Sequence, residues 1–420
     1  MVLSRRHFLA TLSGLAATLF VKPAIGQTLS EAKARKRVVI VGGGFAGTTA
    51  ALALRKLAPK AEVVMIEKGP AFISAPSALE YLFDMVSWSE ITRNYKALTS
   101  RGIQVLRAEL LAIEPRRHVV QTTVGPLDYA FLVLATGIRL ASEEIAGLKE
   151  NPQVNSSLYD RSNLAELRRR IQDYRGGSVL LSIPPAPLQC PPAPYEFALL
   201  FAERIRQKKL QGKIILLDSH TNPQPPSLSR AIEQAFQRNQ DIIEYVPSAR
   251  VTTLDVSSKR VITEDGEKFP YDFLSLIPPH RAARFIQEAE LSLQGDPFAD
   301  VDPFTFRSKR FETIYALGDA ARTPYSRTAS SAAQSAQICA REIAKSLGRK
   351  ITVPSSFQSV CFPYVSSREA LSLKIDYEWQ SSRVEVQPES RIDAVTDPSH
   401  GYVKERRLWG KRLLAEMFGA

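Results

Sequence analysis

The feature that most constrains this chain is a glycine-rich turn set between a strand and a helix near its start. Residues 37–41, RVVIV, form the almost wholly apolar run that a buried parallel strand needs. They lead into Gly42-Gly43-Gly44-Phe45-Ala46-Gly47, and TTAALALRKLA (48–58) then reads as a helix whose N–H-rich start faces a phosphate. Gly42 permits the tight turn, Gly44 lets the backbone approach a pyrophosphate, and Gly47 allows the helix to pack closely on the strand. A second strand, EVVMI (62–66), ends at Glu67 and Lys68. The Glu67 carboxylate falls 20 residues past Gly47, where an acid binds the hydroxyls of an adenosine ribose. A glycine motif alone is weak evidence. Strand, glycines, helix, strand and terminal acid in this order define a dinucleotide site, with Gly42, Gly44, Phe45, Ala46, Gly47, Glu67 and Lys68 as its candidate contacts.

Two later segments decide which dinucleotide. Residues 131–137, FLVLATG, are a buried strand ending in Ala135-Thr136-Gly137, the turn typical of two-dinucleotide flavoproteins. Residues 314–320, IYALGDA, are a strand ending in Gly318-Asp319 before a long helix over 330–347. In such flavoproteins this aspartate binds the ribityl chain; by itself Asp319 also fits a helix-capping carboxylate. The combination points to FAD. A relative that used NADH would carry a second glycine motif near residue 180. Here the strand SVLLSI (178–183) runs into PPAPLQCPPAPYE (184–196), and prolines, which lack N–H groups and fix φ, cannot build a phosphate cradle. A helix over 197–208, a strand over 213–217 and Asp218 keep the shape of a dinucleotide domain. NAD(P) binding is not expected.

The chain has 420 residues, 44% hydrophobic and 23% charged, which suits two or three globular domains and excludes disordered, collagen-like and coiled-coil readings. Ser4-Arg5-Arg6-His7-Phe8-Leu9 matches a twin-arginine export signal; an apolar stretch (10–21) and Ala24-Ile25-Gly26 complete it. Its removal would take the net charge from +12 to +9, since Arg5, Arg6 and Lys22 leave with no acid. That route carries folded proteins, typically with the cofactor bound, to the periplasm. No apolar run reaches the ~18 residues of a membrane-spanning helix. Three cysteines are too few for a disulfide scaffold but enough for one bridge. Cys339 sits in a helical pattern as a core thiol. There is no Cys-x-x-Cys-His, so any haem c must sit on a partner. Basic clusters at 168–170, 204–209 and 404–407 read as solvated helix faces, and nothing argues for nucleic acid or a metal.

These segments, together with CPPAPYE (190–196), LGDAA (317–321), Cys361 in SVCFPY and the ending WGKRLLAEMFG (409–419), resemble the flavoprotein subunit of flavocytochrome c sulfide dehydrogenase from about Lys36 onward. Sulfide:quinone oxidoreductases share the FAD plan more distantly. The resemblance implies that Cys190 and Cys361 form a redox disulfide beside the flavin, open to attack by hydrosulfide. On the residues alone a passive bridge stays open. The resemblance also places Glu196 near that site, where it reads equally as a proton carrier or as a carboxylate favoured by a helix N-terminus. It places Trp409 over the flavin, where packing is the other reading. It implies a c-type cytochrome partner that takes electrons singly. One departure stands out: PAFISAPSA (70–78), where the family attaches FAD through a cysteine, has none, so the FAD should be non-covalent.

The expected architecture is an α/β, glutathione-reductase-like two-dinucleotide-domain fold with a C-terminal α+β domain. An FAD domain spans 36–145 and 288–348, a second dinucleotide-like domain spans 146–287, and 349–420 brings Cys361 and Trp409 over the flavin. The expected function is periplasmic oxidation of a small sulfur substrate with transfer to cytochrome c. The rivals are a sulfide:quinone-type enzyme and a flavin-binding accessory protein without turnover of its own.

Overall fold

A computed structural model describes residues 36–379 and 391–419; the export signal read at 1–26 lies outside the described residues. The first strand, β1 (Arg37–Val41), has Val38 to Val41 buried on both faces, as its unbroken apolar run requires. Helix α1 (Phe45–Leu57) follows directly, three residues earlier than the sequence suggests, because Gly44 serves as its N-cap. Beside β1 run β2 (Glu62–Glu67), β3 (Gln104–Arg107), β4 (Phe131–Leu134) and, from far along the chain, the strand at Ile314–Ala316. All are parallel, and reading across the sheet the order is 314–316, β4, β1, β2, β3. The order reverses between β1 and β4. In open parallel sheets the crevice at such a reversal, beyond the carboxyl ends of the strands, is where ligands bind.

A second parallel sheet contains β5 (Gly176–Ile183), β6 (Gln211–Asp218), β7 (Ile243–Val246) and β8 (Phe273–Leu276), in the order β7-β6-β5-β8. Helix α2 (Ala193–Gln207) connects β5 to β6. It starts four residues before the sequence reading, at the second proline pair. Proline is well placed in a first helical turn, where its missing N–H has no partner to lose, so the proline-rich loop ends at Pro192 and Glu196 stands in the first turn of α2.

Strand β9 is the Ile314–Ala316 strand, and α3 (Ala329–Ser346) packs along α1. The chain then forms an antiparallel sheet in which β10 (Ser356–Cys361), β11 (Tyr364–Ser366) and β13 (Arg391–Ser399) pair with β12 (Glu369–Glu378). Cys361 ends β10, opposite Leu373. Helix α4 (His400–Phe418) lies against β12 and buries Val403, Arg406, Leu414, Met417 and Phe418. No described helix is long and apolar enough to cross a membrane.

Candidate flavin and cysteine site

The three motifs that suggest a dinucleotide end neighbouring strands: Gly42–Gly47 after β1, Ala135–Gly137 after β4, and Leu317–Asp319 after β9. They open onto one cavity of about 930 Å³, at the large end for a cofactor pocket. Gly42, with φ +101°, donates its N–H to the Ile66 carbonyl at 2.8 Å; a Cβ there would stand 2.4 Å from the Ala135 oxygen. A Cβ on Gly47 would fall 1.8 Å from the Gly42 oxygen. These two glycines are demanded by the protein itself. Gly44 differs: its Cβ would meet only the Arg161 guanidinium, at 3.8 Å. The space that Gly44 leaves open belongs to a ligand.

Glu67 accepts N–H groups from Gly43 (2.5 Å) and Gly69 (2.6 Å), one on each carboxylate oxygen. A lone pair remains on each for ribose hydroxyls. Tyr95 and Thr48 both donate to the Gly43 carbonyl and so hold the loop. Phe45 and Ala46 are buried at the helix start, and Lys68 lies at the rim, 3.4 Å from Glu109. Asp319 is buried; Gln189 donates to its Oδ2, while Oδ1 has no partner among the described residues, nor has the Thr136 hydroxyl. Buried polar atoms without partners are rare and call for one. The donors, acceptors and open cradle fit a dinucleotide flavin held without further change. The 70–78 wall offers the cavity Pro70, Ala71, Phe72, Ile73, Ala75, Pro76 and Ala78, with no cysteine among them.

Cys190 and Cys361 border the same cavity, as does Trp409 from α4. The two sulfurs, 171 positions apart in the chain, lie within side-chain hydrogen-bond reach of each other. The two side chains face each other as free cysteines, close enough for the redox couple that the resemblance implies. Their contact, followed by burial, pushes the Cys190 thiol well above the usual range, while Arg406 pulls it down. Cys190 has φ +42°, a left-handed conformation that side chains disfavour. Three hydrogen bonds hold it there: its N–H donates to the Arg327 carbonyl (2.8 Å), and its carbonyl accepts from Ala193 N–H (2.9 Å) and Tyr159 O–H (3.2 Å). His280, buried behind Tyr159, accepts the Gln189 N–H on Nδ1; burial, then Arg327 and Arg281, pushes its pKa down to about 3 and keeps it neutral.

Glu196 is only 2% exposed. Its Oε2 accepts from Tyr364 N–H (2.9 Å) and from Arg406 Nη1 (2.7 Å). Burial pushes the carboxyl up against the pull of Arg406. The basic run 404–407 is therefore not a uniformly solvated face. Arg406 is 8% exposed, because an inward-facing position of α4 meets a buried carboxylate there. Arg170 likewise is not wholly solvated: it lies over the Phe273 ring and donates to Ser156. Sequence reasoning also missed Tyr95, Tyr159 and Arg161, none of which belongs to a recognisable motif.

Beyond the carboxyl ends of the second sheet, side chains pair closely with one another. Asp218, at the end of β6, has no exposure, and accepts from Tyr195 O–H (2.7 Å), Tyr245 O–H (2.9 Å) and His220 N–H (2.9 Å). The cleft lined by Ser182, Pro184, Pro185, Arg250 and Pro279 has about 10 Å³ of room, no more than about one water needs.

Comparison with known proteins agrees with the fold. The sequence profile of the family described as "Pyridine nucleotide-disulphide oxidoreductase" matches residues 36–171. A solved structure, the sulfide:quinone oxidoreductase of Aquifex aeolicus, superposes with a TM-score of 0.78 over 91% of each chain at 18% identity. The chain thus has the two-dinucleotide-domain fold of FAD/NAD(P)-binding flavoproteins of the disulfide-oxidoreductase type, and the matching profile supports FAD. It is similar to sulfide:quinone oxidoreductases, and its residues 165–278 match the family described as "Sulfide dehydrogenase [flavocytochrome c] flavoprotein chain, central". The mitochondrial sulfide:quinone oxidoreductase of Dictyostelium discoideum is 24% identical over 320 residues, 72% of this chain and 69% of that protein. The sulfide-quinone reductase of Aquifex aeolicus is 22% identical over 306 residues, 67% and 68% of the two chains.

Asp319 supplies a test of the cofactor site that needs no turnover. Burial raises its pKa, so the folded chain holds this proton more tightly than the unfolded chain. Apoprotein stability should therefore fall as pH rises from the unfolded value, near 4, through the folded one. Asp319→Asn removes that loss. Its apoprotein should melt a few degrees above the parent at pH 7, with the gap closing toward pH 4, while FAD affinity drops about 10- to 100-fold with the charged acceptor gone. Calorimetry and flavin titration check both signs; equal apoprotein melting at pH 7 would contradict the reading of Asp319 as a carboxylate kept for a ligand.

Proposed function

We propose that this chain oxidises sulfide or polysulfide through Cys190, Cys361 and a non-covalently bound FAD, and passes the electrons to a c-type cytochrome in the periplasm. The observation that carries this reading is the meeting of two distant cysteines on the cavity wall that also holds the dinucleotide motifs. In the oxidised pair, hydrosulfide attacks one sulfur of the disulfide and the S–S bond breaks. The attacked cysteine becomes a persulfide, and the other leaves with the bonding electrons as a thiolate. On this reading Glu196, which lines the same cavity, takes or returns the proton involved. FAD, when bound, accepts electrons in pairs and releases them singly. Sulfide loses two electrons and a proton overall, reaching the level of zero-valent sulfur.

NAD(P) is not a donor on this reading, since Asp218 is fully engaged by neighbouring side chains and the cleft beside β5 is filled. The match of 165–278 to the flavocytochrome c flavoprotein chain supports the cytochrome acceptor. The longer similarity to sulfide:quinone oxidoreductases supports a second reading, in which a quinone takes the electrons. Anaerobic addition of sulfide to the FAD-loaded protein should bleach the flavin's visible absorbance, and NADH should not. Colour should return with cytochrome c on the first reading and with a soluble quinone on the second. No bleaching by sulfide or polysulfide would leave a flavin-binding accessory protein.

A further inference from the structure

We propose that Arg406 is the positioning residue of the sulfur site: from the C-terminal helix it locks Glu196 to the end of the Cys361 strand and, in opposition to Glu196, sets the reactivity of Cys190. This deepens the cysteine-relay reading and rests on it. Arg406 Nη1 donates to Glu196 Oε2 (2.7 Å) and to the Phe362 carbonyl (2.6 Å), one residue past Cys361. Nη2 donates to the Pro76 carbonyl (2.8 Å), on the 70–78 wall of the flavin cavity. The guanidinium lies 4.2 Å from the centre of the Tyr364 ring, whose hydroxyl donates to the buried Glu80 at 2.6 Å. One side chain thus ties α4, α2, the β10–β11 turn and the flavin wall together. Its Nε–H is buried and has no partner among the described residues.

Such a charge has an electrostatic consequence. A buried guanidinium favours a nearby anion, and a buried carboxylate disfavours it. Arg406 and Glu196 face the cysteines from α4 and α2, with Tyr195 beside Glu196. Tyr159 faces them from the segment before β5, and Arg327 and Asp319 from the loop before α3 through Gln189. Glu80 and Arg407 stand farther off, behind Tyr364. His280 is neutral and Tyr159 is held protonated by burial, so the nearest opposed charges are Arg406 and Glu196. The Cys190 thiol is raised by Glu196 and lowered by Arg406.

The test is the pH dependence of alkylation of the reduced, FAD-loaded protein by iodoacetamide, without sulfide, read at Cys190 by mass spectrometry. Arg406→Gln should slow alkylation about tenfold below its midpoint, a shift of roughly one pH unit toward alkali. Arg406→Lys should recover most of that, and Glu196→Gln should shift the midpoint the other way and speed alkylation. Opposite signs are the decisive feature, because a merely structural ion pair, once broken from either side, would loosen the site in the same direction. Equal signs, or no change in Arg406→Gln, overturn the proposal. If Arg406→Gln does not retain flavin, Glu196→Gln and Arg406→Lys decide it, and slower or unchanged alkylation in Glu196→Gln overturns it. Failure of the sulfide reading appears separately, as absent bleaching of the unmodified protein.

Discussion

Cys190→Ser should keep its fold and its FAD and lose sulfide-driven bleaching by on the order of 10³-fold or more, the scale on which removing an essential nucleophile acts. Serine replaces one sulfur by oxygen at a position where the backbone is held by Arg327, Ala193 and Tyr159 and not by the side chain, so φ +42° should survive the change. Cys361→Ser should lose as much, and the double variant no more than either single one, because the two sulfurs act as a unit. Stopped-flow reduction by sulfide, with flavin content as the control, gives all three numbers. A Cys190→Ser protein that bleaches normally would remove the cysteine relay and leave the flavin site untouched. A passive bridge predicts the contrary pattern: normal bleaching with a lowered melting temperature.

What could be read from the sequence was whatever the chain writes locally. The cradle of Gly42, Gly44 and Gly47, the acid at Glu67 and the Gly318-Asp319 turn each lie within a few residues of a strand end, and the sheet brings those ends together without further information. The proline loop was legible as an obstacle to a second nucleotide, though not the start of α2 inside it. Partners supplied from far away were not legible. Arg406 meets Glu196 across 210 positions, and in KERRLWGKR it looks like any solvated basic run. A signal was nevertheless there: Val403, Arg406, Gly410, Leu414 and Met417 follow one another at helical spacings of three and four, which places Arg406 on the inward stripe of α4. A charge in an apolar stripe asks for a buried partner. Tyr159 and Arg161 carry no such pattern; only the fold reveals that they flank the cavity.

The three glycines of the cradle should separate what the fold needs from what the cofactor needs. Gly44→Val should leave apoprotein melting within about 2 °C of the parent, because Gly44 has φ −74°, open to any residue, and its Cβ would meet nothing closer than Arg161 at 3.8 Å. FAD binding should fall by at least about 10²-fold, since the valine occupies the space through which the pyrophosphate approaches the backbone. Gly47→Ala should do the reverse in order of cause. Its methyl would stand 1.8 Å from the Gly42 oxygen, so α1 must move off β1 before any ligand arrives. Overpacking of this kind costs about 1–3 kcal/mol, and the apoprotein should melt several degrees lower, with flavin lost as a consequence. Flavin titration beside calorimetry of the apoproteins distinguishes the two. If Gly44→Val destabilises the apoprotein as much as Gly47→Ala does, the open space beside Gly44 is packing that the structure does not show, and the phosphate cradle must be sought elsewhere along the carboxyl edge of the first sheet.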